Sequence, residues 1–134
     1  MHINTNQKIH HFLKEAAADD LQLSLRGDCM TPSLHNGSNI KVRSAGFYWP
    51  GDVLVYRDQN DHLLAHRLLG YYRRQGNWRY LTQADNARRP DMGVAAFQVI
   101  GKVLSAPVSL RHRISAAWRF TRHVARYLHQ LKRI

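Results

Sequence analysis

The chain has a single cysteine, Cys29, among 134 residues. No internal disulfide framework is therefore available to it. The nine histidines are scattered, and no Cys-x-x-Cys pair exists to join them, so no structural zinc site and no metal cofactor are expected. The first twenty residues, MHINTNQKIHHFLKEAAADD, contain no apolar core of the kind a secretory signal needs. No stretch approaches the ~18 consecutive apolar residues of a membrane-spanning helix. The sequence has neither an internal repeat nor a low-complexity tract. These absences lead us to expect a cytoplasmic protein whose lone thiol stays reduced, and the length fits one compact domain.

Acids are also scarce: nine Asp and Glu stand against 20 Lys and Arg, for a net charge of +11. The imbalance is concentrated at one end. From Ala106 to Ile134 there are seven basic residues and no acid, which leaves only +4 for the rest of the chain.

What is present divides the chain into three parts: a helical segment over 1–20, a β domain over 21–107 and a basic amphipathic helix over 108–134. From about Gln7 to Asp19, Ile9, Phe12, Leu13, Ala16 and Ala17 recur at helical spacing, until Asp19-Asp20 breaks the pattern. From Leu21 to Pro107 the pattern changes to strands and turns. Leu21, Leu23 and Leu25 alternate with polar residues, and so does Asn39 to Arg43. Val53 to Tyr56 follows the turn signal Trp49-Pro50-Gly51-Asp52. Trp78 to Thr82 and Phe97 to Val103 are further strands, whereas His62 to Tyr72 suits strand or helix equally. Turn residues every 8–12 positions predict a mainly β fold, a barrel or sandwich. In the last segment Leu110, Ile114, Ala117, Thr121, Val124, Leu128 and Leu131 fall at spacings of three and four, flanked by Trp118, Phe120 and Tyr127.

Chemistry concentrates in three stretches. The first is Arg26-Gly27-Asp28-Cys29-Met30-Thr31-Pro32-Ser33-Leu34. A nucleophile needs a turn that exposes its side chain and leaves backbone N–H groups for an oxyanion. Gly27 permits unusual backbone angles just before Cys29, and Pro32 restrains the chain just after it. By composition alone, Cys29 also suits a small buried core position.

Gly27-Asp28-Cys29-Met30-Thr31-Pro32 resembles the Gly-Asp-Ser-Met-x-Pro motif of the signal peptidase superfamily, which includes type I signal peptidases and self-cleaving SOS-type repressors. Cys29 stands where that family has serine. Two further stretches follow in the family's order. Pro50 to Tyr56 resembles the Gly-Asp strand after the nucleophile, and Leu64-Ala65-His66-Arg67 resembles the strand that carries the general base, histidine followed by arginine in archaeal and endoplasmic-reticulum members. Leu81-Thr82-Gln83-Ala84-Asp85-Asn86 resembles the Leu-Thr-x-Gly-Asp-Asn block, with Ala84 replacing glycine. Val99 to Val103 resembles the closing strand.

The resemblance implies a signal-peptidase-like β barrel or sandwich with a short N-terminal helix. It implies Cys29 as nucleophile, His66 as base and Asp91 as the acid that orients the histidine, with Asp85 as the alternative orienter. Gly27, Asp28, Met30 and Pro32 would shape the nucleophile turn. A thiol has a pKa near 8.5, lowered beside an imidazolium, so histidine is a suitable base for it. Arg67, Lys41 and Lys102 add positive potential.

The expected function is a cysteine endopeptidase acting on a protein or leader peptide. The alternative is a catalytically inactive module of the same fold that binds a membrane or nucleic acid. For the C-terminal helix two readings stay open. In one, its apolar stripe packs on the β domain. In the other, Arg111, Arg113, Trp118, Arg119, Arg122 and Arg126 contact the inner face of an anionic membrane, with nucleic acid the lesser candidate.

Overall fold

The computed structural model describes residues 5–24, 30, 34, 37–106 and 108–133, with the backbone only for residues 5 and 6. Cys29, Gly27, Asp28 and Pro32 lie outside the described residues, as does Leu25 of the first alternating stretch.

Helix α1 spans Thr5–Ala17. Seven strands follow: β1 Leu21–Ser24, β2 Asn39–Arg43, β3 Val53–Arg57, β4 Leu63–Arg74, β5 Asn77–Gln83, β6 Val94–Ala95 and β7 Val99–Val103. Helix α2, Leu110–Leu131, closes the chain. The strands form one curled antiparallel half-barrel sheet in the order β1-β2-β7-β3-β4-β5-β6. The fold is thus mainly β with a helix at each end. The ambiguous run over 62–72 is strand β4, and Ala96–Gln98, at the start of the expected last strand, is a turn of 3-10 helix.

Alternation explains β2, whose Ile40 and Val42 are buried between exposed neighbours. Strand β3 is buried along its whole length because both of its faces are covered. Val53 and Val55 join a core with Met30, Ile40, Val42, Ile100 and Ala17 of α1. Leu54 and Tyr56 join a second core with Tyr48, Leu68, Val94 and Val99. Register shifts interrupt the β3–β7 ladder at Val55/Tyr56 and the β4–β5 ladder between Leu68 and Gly70. Such irregularities bend strands and re-aim side chains.

Both helices dock on a face rotated from the stripe read in the sequence. In α1, Ile9 and Phe12 point outward, while Leu13 and Ala17 pack against the first core. In α2, Leu110, Ile114 and Leu128 are exposed, and the buried contact is Ala116 with Phe120 against Leu69, Leu81 and Tyr72. The reason is steric fit. Gly70 of β4 leaves a gap that the Phe120 ring fills, since a Cβ there would lie 2.5 Å from the ring. Arg113 also belongs to this docking face rather than to a free cationic surface. Its Nη1 lies 3.2 Å from Asp52 Oδ1 and donates to the Pro50 carbonyl at 3.2 Å. Beyond Phe120 the helix leaves a groove of about 600 Å³ beside the end of β4, lined by Tyr72, Val124 and Tyr127 among others. Among the described residues no helix is long and apolar enough to cross a membrane.

Candidate active site

The sheet brings together four side chains from β3, β4, β5 and the loop after β5. His66 sits near the start of β4, opposite Leu54 of β3, and is buried. Tyr56 is two residues further along β3, on the face that carries Leu54. Thr82 pairs with Leu68 of β4 and is completely buried. Asp91 is delivered by a loop that folds back on β5, its backbone N–H donating to the Thr82 carbonyl at 2.8 Å.

His66 Nδ1 is 2.6 Å from Asp91 Oδ2. The carboxylate can only accept, so Nδ1 carries the proton and Nε2 is the nitrogen left for acid–base work. The Thr82 hydroxyl donates to the same Asp91 oxygen at 2.9 Å. The Tyr56 hydroxyl lies 3.2 Å from His66 Nδ1 and 3.4 Å from Asp91 Oδ2, and the Thr82 hydroxyl is 3.3 Å from it. Burial pushes the Tyr56 phenol far up, and the negative charge of Asp91 adds to the shift. Tyr56 therefore stays protonated beside the couple. Neither Tyr56 nor Thr82 stands out in the sequence as a site residue. The only sequence signal for Thr82 is its place three residues before Asp85 in the resembling block.

Of the two candidate orienters, Asp91 is the one that meets His66. Asp85 pairs with Arg67 instead. Arg67 Nε and Nη2 donate to its two carboxylate oxygens at 2.8 and 2.7 Å, and Nη1 donates to the Gly51 carbonyl at 2.8 Å. Arg67 is 3% exposed, so its charge is matched inside the protein and adds no open positive potential. This ion pair fixes the turn before β3 to the loop after β5. Met30, the residue after Cys29, is buried in the same region, and its Sδ accepts the Asp85 N–H at 3.4 Å.

His62 and His66 are four residues apart, a zinc-ligand spacing on a helix, but here they flank the start of a strand and turn to different acids. His62 lies 3.6 Å from Asp58, and His66 meets Asp91. Among the described residues, no three His, Cys, Asp or Glu side chains converge as a metal site. A cleft of about 210 Å³ opens beside the couple, lined by Tyr56, Leu64, Asp91, Met92, Val94 and Gln98 among others.

No family model matches the chain, and no curated protein matches it.

Proposed function

We propose that the protein is a cysteine endopeptidase of signal-peptidase-like fold, with Cys29 as nucleophile, His66 as acid–base and Asp91 as its orienting partner. The observation that carries this reading is the His66–Asp91 couple at 2.6 Å, its histidine buried and its carboxylate partly so. An imidazole held by Nδ1 in one tautomer is what a thiol nucleophile needs from its partner. Further support comes from Met30, the residue next to Cys29, whose Sδ accepts the N–H of Asp85, the partner of His66's strand neighbour Arg67.

In the proposed reaction the Cys29 thiol passes its proton to His66 Nε2, and the resulting thiolate attacks the carbonyl carbon of a peptide bond. His66 Nε2 gives its proton to the leaving amine as the C–N bond breaks, which leaves a thioester on Cys29. A water then loses a proton to His66 Nε2 and adds to the thioester. The acid product leaves and the thiolate is restored. The substrate class is a protein or leader peptide.

The test is an electrophilic peptide, with the adduct read by mass at Cys29. Native protein should label much faster than denatured protein, His66→Ala should slow the labelling, and Cys29→Ala should abolish peptide cleavage. Cleavage that survives Cys29→Ala, or labelling no faster folded than unfolded, sinks the reading.

A second reading, a non-catalytic binding module, is favoured by one observation: helix α2 carries an acid-free basic surface that the sheet does not cover. Salt-dependent binding that requires residues 111–133, together with Cys29 labelling no faster in the folded than in the unfolded protein, would support it over the peptidase.

A further inference from the structure

Helix α2 is 22 residues and so about 33 Å long. At 100° per residue its side chains divide into three sectors that do not overlap. Arg113, Ala116 and Phe120 face the protein. Leu110, Ile114, Ala117, Trp118 and Leu128 lie within an adjoining sector of about 100°, and Ile114, Trp118 and Leu128 are 61%, 66% and 52% exposed. Arg111, Arg119, Arg122 and Arg126 occupy the next sector, and from Thr121 onward the helix surface is exposed.

The docking of α2 therefore leaves an apolar strip and a basic strip side by side on one helix. We propose that this surface lies flat on an anionic lipid bilayer, with the apolar strip at the headgroup boundary and the arginines on lipid phosphates. Charge selects the occupant. The segment from Ala106 has seven cations and no acid, and each cation near an anionic bilayer strengthens binding. The indole of Trp118 suits the interface, where one side is apolar and the other wet. A nucleic acid would use the arginines but leave the neighbouring Leu110–Ile114–Trp118 strip in water. A second copy of this chain would bring two acid-free basic strips together. The surface uses none of the residues around His66, so it holds whichever reading of that site is right.

The full chain can be sedimented with phosphatidylcholine vesicles, with and without phosphatidylglycerol, at low and high salt. It should bind the anionic vesicles only, more weakly in salt, with a blue shift in tryptophan emission that Trp118→Phe removes. Arg122→Gln/Arg126→Gln should weaken binding by about tenfold or more. Ile114→Ser/Trp118→Ser should weaken it comparably, with the melting temperature unchanged in both because all four residues are exposed. Three outcomes overturn the proposal. One is no binding to anionic vesicles at low salt. Another is an apolar variant that binds vesicles like the parent while a short DNA duplex binds more tightly than they do. The third is a dimer by light scattering that the apolar variant dissolves.

Discussion

Thr82 holds Asp91 twice: its carbonyl accepts the Asp91 backbone N–H at 2.8 Å, and its hydroxyl donates to the Asp91 oxygen that also receives His66 Nδ1. One strand residue thus fixes both the loop position and the carboxylate rotamer of the acid. Thr82→Val keeps the shape and removes the hydroxyl. It should cost about 1 kcal/mol of stability. If the peptidase reading is right, loosening the carboxylate should lower peptide cleavage by up to about 10²-fold, and Thr82→Ser should restore much of it. Asp91→Asn should do more harm, about 10²- to 10⁴-fold, because the amide no longer selects the Nδ1–H tautomer. Nitrogen NMR of His66 reads that tautomer without reference to activity, and an unchanged tautomer in Asp91→Asn would contradict the assigned role.

The buried Arg67–Asp85 pair predicts a large asymmetry between two substitutions. Asp85→Ala strands a guanidinium that is 3% exposed, and should cost roughly 3–5 kcal/mol in urea unfolding. Arg67→Lys keeps the charge but cannot bridge both Asp85 oxygens and the Gly51 carbonyl at once. It should be destabilised by less. Equal losses, or a loss below about 1 kcal/mol for Asp85→Ala, would show that this pair does not hold the turn to the loop.

Which parts of this structure the sequence reveals depends on how each segment is buried. Strand β2 is legible residue for residue because one face is wet and the pattern alternates. Strand β4 is not, because burial on both faces over its centre erases the period that separates strand from helix. Strand β6 has two residues and no pattern to read. Helix α2 is legible as a helix, but its docking face is not, since the contact is set by Gly70 receiving Phe120 rather than by the most apolar stripe. His66 and Asp91 stand out only through the resemblance of their flanking residues. Tyr56 and Thr82 look like ordinary strand residues until β3, β4 and β5 are in register.

Two glycines mark close approaches of different tolerance. A Cβ on Gly70 would lie 2.5 Å from the Phe120 ring, and one on Gly101 would lie 2.6 Å from the Arg43 carbonyl oxygen of the neighbouring strand. The ring can retreat with α2, whereas a carbonyl inside the sheet cannot move alone. Gly70→Ala should therefore cost about 1–3 kcal/mol and make α2 more sensitive to limited proteolysis. Gly101→Ala should cost more and spread its effect over β2, β7 and β3. Phe120→Ala in the Gly70→Ala background should add less than it does alone, as expected for two changes at one contact.

Alkaline pH should unfold this protein in a way that three tyrosines report. Burial raises the phenols of Tyr48, Tyr56 and Tyr80 above the ordinary value near 10. In the unfolded chain they ionise at that ordinary value, so above it the folded state binds more protons than the unfolded one. Stability then falls as pH rises, and the stabilisation present below pH 10 is progressively lost. The melting temperature should be insensitive to these groups at neutral pH and decline above about pH 10. Tyr56→Phe removes the largest of the three shifts and should flatten that decline, although it also removes the hydroxyl beside Asp91. Tyrosinate absorbance gives the decisive readout. The phenols of Tyr48, Tyr56 and Tyr80 should ionise together with the loss of native circular dichroism. Ionisation of all six tyrosines in one step, with the native spectrum intact, would mean that these phenols are not shielded as the packing requires.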